Sequence, residues 1–234
     1  MFDVITEEIV NPTLTVTRKR EEFGTWEYLA KLIKDGYAYR AIDVGDTISC
    51  KMKDGKELLI DVIGLNVYDE NEAIFCFHDL YCEARMNDTA TNAGGFLESK
   101  MYKETLTEIY ENLPDDLRDV ITPMRICQNL TEGGVSEGYA NLWLPSFYEV
   151  FGEVDGWEYI EEGNVQFPYF KNPRNRARRT ADEFKYNMCY WLRDYYTGNA
   201  TTFNSVNSSG AYYNSITASN TYGVLPCFKI SKNF

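Results

Sequence analysis

Apolar positions along this chain change their period several times, and each change marks a different kind of element. Between Thr25 and Gly36, the residues Trp26, Leu29, Leu32 and Ile33 recur at helical spacing. Thr25 stands where an N-cap belongs and Gly36 where a C′ glycine ends a helix, so the spacing predicts one compact helix. Upstream, Thr13-Leu14-Thr15-Val16-Thr17 alternates as a short edge strand or an extended arm does. An arm and one helix are too small to hold a core alone. Residues 1–40 are therefore expected to be an attachment or assembly module, packed on the main domain of residues 41–234 or on another chain.

From Ile42 the period shortens. Asp43-Val44-Gly45-Asp46 leads into Ile48, Cys50 and Met52, and Lys53-Asp54-Gly55-Lys56 has the Asp-Gly pair of a hairpin turn. Leu58, Leu59, Ile60, Val62 and Ile63 form the next apolar run, followed by Ala73-Ile74-Phe75-Cys76-Phe77. These runs predict an antiparallel β start. The helical period then returns. Ser99 can cap a helix carrying Met101, Leu106, Ile109, Tyr110 and Leu113, and Pro114 opens a shorter one with Asp115 and Asp116 in its first turn. Leu142-Trp143-Leu144 predicts a short buried strand. Ser146 and Glu149 have capping-box spacing, with Gly152 as the stop.

The last third has no clean period. From Tyr195 to Phe228 there are 34 residues without an Asp, Glu, Lys or Arg, and Asn, Ser, Thr and Tyr occur five times each. Phe203, Val206, Ile216, Val224, Leu225 and Phe228 punctuate the tract. A solvated loop carries charges, and a low-complexity linker lacks apolar anchors. The pattern therefore predicts strands that hold a polar, aromatic surface. Tyrosine gives large contact area at low entropic cost, and Asn, Ser and Gly give adaptable hydrogen bonds, as in antibody-type paratopes.

Composition narrows the functional classes. The 234 residues carry a net charge of −13, which argues against a nucleic acid partner. No apolar run is long enough to span a bilayer, so membrane insertion is not expected. The opening residues lack the basic and apolar regions of a secretory signal. Six cysteines without a CxxC pair are expected to be reduced, mostly buried thiols, and their spacing fits no zinc pattern.

Candidate chemistry is sparse. His78 is the one histidine, and it stands beside Asp79. Neighbours in sequence need not meet in space, so a structural histidine at a strand end is the expectation. Classical catalytic triads and His-rich metal sites then lack their parts. Glu153, Asp155, Glu158, Glu161 and Glu162 make an acidic stretch without the spacing of a calcium loop, so solvated turns are expected. Lys171, Arg174, Arg176, Arg178 and Arg179 form a basic cluster. It either docks an anionic group or neutralises the upstream acids, and the second is preferred. No cofactor motif appears.

Several motifs together resemble a known family. They are Val44-Gly45-Asp46-Thr47, Met86-Asn87-Asp88-Thr89, Asn92-Ala93-Gly94-Gly95-Phe96 with Ser99, and Leu113-Pro114-Asp115-Asp116-Leu117-Arg118. Leu142-Trp143-Leu144-Pro145-Ser146 with Glu149-Val150-Phe151-Gly152 adds to them, as do Tyr190-Trp191-Leu192-Arg193 and Gly223-Val224-Leu225-Pro226-Cys227-Phe228. From Ile42 onward the chain resembles the C-type-lectin-like domains of phage virion proteins and of diversity-generating-retroelement variable proteins. Tyr190, Tyr102 and Leu225 depart from the usual residues of such domains and look like packing variants.

The resemblance implies an α+β, C-type-lectin-like fold: antiparallel strands, flanking short helices, and a variable-type region over 191–228. It implies a virion-located recognition protein, made in a bacterial cytoplasm, without catalysis or cofactor. Its partners would be a host cell-surface protein or glycan, other virion subunits and copies of itself. Adenine-directed mutagenesis of such a region yields mostly Asn, Ser, Thr, Tyr and Asp. On that basis the ligand-facing positions would be Asp194, Tyr195, Tyr196, Asn199, Thr202, Asn204, Asn207, Ser208, Tyr212, Tyr213, Asn214 and Asn220. Trp191, Leu192, Phe203, Val206, Val224 and Phe228 would be the fixed scaffold. One rival is a structural virion protein (capsid decoration, head fibre or tail component) whose domain packs on neighbours. Another is an enzyme similar to formylglycine-generating enzymes, whose paired-thiol pattern Cys189 and Cys227 do not form.

Overall fold

A computed structural model describes residues 6–10, 13–17, 24–152, 165–181, 185–195 and 198–232. Strands β1 (Thr6–Val10) and β2 (Thr13–Thr17) pair as an antiparallel hairpin, with Ile9 opposite Leu14. Helix α1 (Trp26–Lys34) starts where the sequence predicts, the Thr25 hydroxyl accepting from the Tyr28 N–H at 3.2 Å. Gly36, at φ +80°, follows its end.

Helix α1 is part of the main core. It buries Trp26, Leu29 and Ile33, and the Trp26 ring meets Phe75 and Phe228 edge-on at 5.7 and 6.0 Å. Of the two packing partners open to residues 1–40, the helix takes the main domain.

Strands β3 (Thr47–Lys51), β4 (Glu57–Leu65) and β5 (Glu72–Phe77) then run antiparallel, with Gly55 at φ +87° in the expected β3–β4 turn. The β4–β5 register shifts between Val62 and Gly64. A Cβ on Gly64 would lie 2.5 Å from Val67 Cγ2, so any larger residue at this bulge must displace Val67. A two-residue β6 (Glu83–Ala84) precedes the helical middle.

That middle consists of α2 (Gly95–Glu98), a π-helical segment over Met101–Leu106 that runs directly into α3 (Thr107–Asn112), and α4 (Asp115–Arg118). The sequence assigns no strand to the next stretch, yet β7 (Met124–Asn129) and β8 (Val135–Ala140) form a full hairpin around Gly133 and Gly134. Leu142-Trp143-Leu144 is buried but is no strand. Trp143 makes one antiparallel bridge to Cys227, with backbone hydrogen bonds of 3.0 and 2.8 Å. Helix α5 (Phe147–Phe151) has the predicted capping box between Ser146 and Glu149 and ends at Gly152.

The remaining strands are short: β9 (Arg178–Arg179), β10 (Asn187–Met188), β11 (Tyr190–Trp191), β12 (Thr202–Val206), β13 (Tyr212–Thr217), β14 (Tyr222–Gly223) and β15 (Cys227–Ser231). One four-stranded antiparallel sheet has the order β15-β5-β4-β3. In it Phe75 and Phe228 stack at 5.0 Å under α1. A five-stranded sheet has the order β13-β12-β11-β14-β6, antiparallel except where β11 and β14 run parallel. The fold class is thus mixed α+β, built mostly of antiparallel sheets with a few short helices.

Candidate ligand-binding sites

The uncharged tract folds into β12, β13 and β14 and divides sharply by burial. Trp191, Leu192, Phe203, Val206, Val224 and Phe228 are all buried, as the scaffold role requires. Four positions expected to face a ligand lie inside instead. Asp194, Tyr195, Thr202 and Asn204 are buried. The cause is strand order. β12 runs between β13 and β11, and all five of its residues are buried, so Thr202 and Asn204 have no outward face. Tyr195 turns inward, its hydroxyl donating to the Asn129 carbonyl at 3.2 Å and its ring set edge-on to Phe203 at 5.3 Å. Asn204 accepts from the Tyr212 hydroxyl at 3.1 Å.

The surface is formed by fewer residues. Ser208, Tyr213 and Asn220 are exposed, and Asn199, Asn207 and Tyr212 are half-buried. Asn199 and Asn207 hold turns. The Asn199 carboxamide oxygen accepts from the Thr201 N–H and hydroxyl, and that of Asn207 accepts from the Ser209 N–H, the Ser209 hydroxyl and the Ala211 N–H. Tyr196 and the side chain of Asn214 lie outside the described residues, as do Glu153, Asp155, Glu158, Glu161 and Glu162 of the acidic stretch.

A buried polar network anchors the start of the tract. Arg193 makes two bonds to Glu149 and a third to the Leu144 carbonyl. Glu149 also accepts from the Tyr68 hydroxyl at 2.8 Å. Next along the chain, Asp194 accepts from the Phe147 N–H at 2.8 Å through Oδ2, while Oδ1 has no hydrogen-bond partner among the described residues. Burial pushes the Asp194 carboxyl up to about 6.

A second site lies around His78. Asp79 is not its partner: Asp79 pairs with Lys185 at 2.8 Å. The His78 Nδ1 instead meets Asp61 Oδ1 at 2.8 Å, across the β4–β5 sheet. Asp61 is fully buried and takes four contacts, the others being Thr47 Oγ1 at 3.0 Å, Tyr169 Oη at 2.9 Å and Arg178 Nη1 at 2.7 Å. Burial works against its charge, but the His78 hydrogen bond and the Arg178 charge outweigh it and hold the carboxyl down to about 2. The same hydrogen bond lifts the His78 imidazole above its ordinary value, against partial burial.

The basic cluster has separate fates. Arg178 is buried on Asp61, with its Nη2 3.4 Å from Cys76 Sγ. Arg176 donates to the Phe170 carbonyl and lies over the Phe151 ring. Lys171, Arg174 and Arg179 are exposed. Arg178 is neutralised by an acid 117 positions away, while the upstream acids expected to balance the cluster lie outside the described residues. Nothing in the sequence marks Asp61 as that partner except an acid inside an otherwise apolar strand.

All six cysteines are free. Cys227 lies directly opposite Cys76 across β15 and β5, and burial first, then the neighbouring thiol, raise its pKa, which keeps it protonated and unreactive. Among the described residues no three His, Cys, Asp or Glu side chains converge as a metal site needs. No described helix is long and apolar enough to cross a membrane.

The described residues thus form a mixed α+β domain with two buried arginine–carboxylate pairs and an uncharged outer tract. The chain belongs to the DUF6273 family, a domain of unknown function, whose model matches residues 54–232. No curated protein and no solved structure matches the chain.

Proposed function

We propose that this is a recognition protein: a C-type-lectin-like domain of a phage particle whose C-terminal tract contacts a host cell-surface protein or glycan. One observation carries the reading. On a molecule of net charge −13, the exposed positions between Gly198 and Tyr222 carry no charge and are Gly, Ala, Ser, Thr, Asn or Tyr. These side chains make adaptable contacts without a charge to desolvate. They stand on a fully buried scaffold, so they can change without loss of the core. That separation supports diversification at Ser208, Tyr213 and Asn220, with Asn199, Asn207 and Tyr212 at the margin. It removes the buried Asp194, Tyr195, Thr202 and Asn204 from the contact surface.

The test is to sequence the gene and its flanking locus from many independent isolates. A reverse transcriptase with a template repeat, and substitutions concentrated at Ser208, Tyr213 and Asn220, is the expected result. A locus with neither element removes diversification. Adsorption of particles carrying Tyr213→Ala then tests binding itself, and unchanged adsorption removes the receptor-facing role of this surface.

A structural virion role is the second reading, favoured by β13. This strand is at the edge of its sheet among the described residues and has no charged side chain. Edges left free in solution usually carry charges that prevent pairing with another chain. In an assembled particle this reading predicts Tyr213 buried against a neighbouring subunit, whereas receptor binding predicts it at a distal, solvated face.

A further inference from the structure

A cleft of about 230 Å³ opens beside the Asp61 network, lined by His78, Tyr169, Arg174, Arg178, Arg179 and Lys185 among others. Its charges do not cancel. Arg178 is neutralised by Asp61 and Lys185 by Asp79. Arg174 and Arg179 have no carboxylate partner among the described residues. Asp182 and Glu183 lie outside those residues. Two guanidinium groups thus face one cleft on a molecule with 13 excess negative charges.

The cleft is also preorganised. Nδ1 of His78 is committed to Asp61, so the other ring nitrogen is left for the cleft, and the side chain is 41% exposed. A carboxylate that fixes one imidazole nitrogen sets the direction of the other. Tyr169 and Arg178 hold the other oxygen of that carboxylate, with the Arg178 guanidinium over the Tyr169 ring at 5.2 Å. Nε of Arg178 is buried without a hydrogen-bond partner, on a residue that itself lines the cleft.

We propose that this cleft binds a tetrahedral oxyanion, a phosphate or sulfate group, either as the free ion or as a monoester at the end of a sugar. Two guanidinium forks and an imidazole N–H supply donors for three oxygens, more than a carboxylate can use. The small volume excludes a long ligand. The anion binds best when His78 is protonated. The charged groups around that ring are Asp61 on β4, Asp79 next in sequence, Arg178 and Arg179 on β9, Arg174 before it and Lys185 after it, and the Tyr169 hydroxyl completes the wall. Sulfate keeps its charge over this range, so its binding weakens as pH rises through the His78 value.

The one histidine makes the test direct, because every imidazole NMR signal belongs to His78. The full chain is titrated with sodium phosphate, sodium sulfate, glucose 6-phosphate and sodium acetate, each against sodium chloride at equal ionic strength. Phosphate or sulfate should move the His78 ring signals saturably and raise the ring's titration midpoint. The exposed pair R174Q/R179Q should weaken this about tenfold or more, with the fold checked by circular dichroism. K171Q, exposed and outside the cleft, should leave it unchanged. Tighter binding of glucose 6-phosphate than of phosphate assigns the site to an ester, and equal or weaker binding to the free ion. A ring signal that responds no more to phosphate than to chloride overturns the proposal. So does acetate binding as tightly as phosphate, or an unchanged response in R174Q/R179Q.

Discussion

Arg193 holds Glu149 through both ends of its guanidinium, Nη1 to Oε2 at 2.5 Å and Nη2 to Oε1 at 3.0 Å, with both side chains buried. The pair ties the residue after Leu192 to the N-terminus of α5, where Glu149 also accepts from the Ser146 N–H at 2.8 Å. Removing one partner strands the other charge in the interior. Arg193→Met should lower stability by about 3–5 kcal/mol in chemical denaturation. Adding Glu149→Leu should recover part of that loss, because an uncompensated charge costs more than an absent pair.

Helix α1 gives a second prediction. Its Trp26 ring fits edge-on against the stacked Phe75 and Phe228. Trp26→Ala should cost about 3–5 kcal/mol by opening a cavity in the core. A chain beginning at residue 41 should lose cooperative thermal unfolding, whereas an independent N-terminal module would leave the transition of residues 41–234 intact.

Much of the fold was legible because it follows local rules. Thr25, Gly36, Asp54-Gly55 and the Ser146–Glu149 box act within one turn of the chain, and all four act as predicted. The β7–β8 hairpin was not legible. Met124 and Ile126 are its main apolar inward residues, and Gln128 continues that face through bonds to the Phe96 N–H and the Arg193 carbonyl. A polar residue buried by long-range partners breaks the alternation from which strands are recognised. The same limit applies at the sites. Residue palette identified the uncharged tract but not that β12 is a central strand. The sequence shows Asp79 beside His78 but not Asp61, its hydrogen-bond partner from the neighbouring strand.

The division of the tract predicts two kinds of substitution. Ser208→Ala, Tyr213→Ala and Asn220→Ala should each change stability by about 0.5 kcal/mol or less, as exposed positions do. Asn204→Ala should cost about 1–3 kcal/mol, since it removes a fully buried amide that accepts from the Tyr212 hydroxyl at 3.1 Å. Thermal denaturation of the four variants checks the contrast. Equal tolerance at Asn204 would return that position to the surface.

Asp194 makes the pH dependence of stability specific. Burial raises its carboxyl to about 6, above the roughly 3.9 of an unfolded chain. The folded state therefore holds a proton that the unfolded state has released between those values. The contribution of Asp194 to stability is complete below about 4 and is lost as pH rises through about 6. Asp194→Asn keeps an oxygen for the Phe147 N–H and carries no charge to desolvate. At pH 7.5 and above, the variant should be more stable than the parent by on the order of 2 kcal/mol, with the difference shrinking toward pH 4. Denaturant unfolding of both proteins across that range measures it. A parent and variant with parallel pH profiles would show that Asp194 is ionised in the fold at no cost, and that the Oδ1 atom has found a partner.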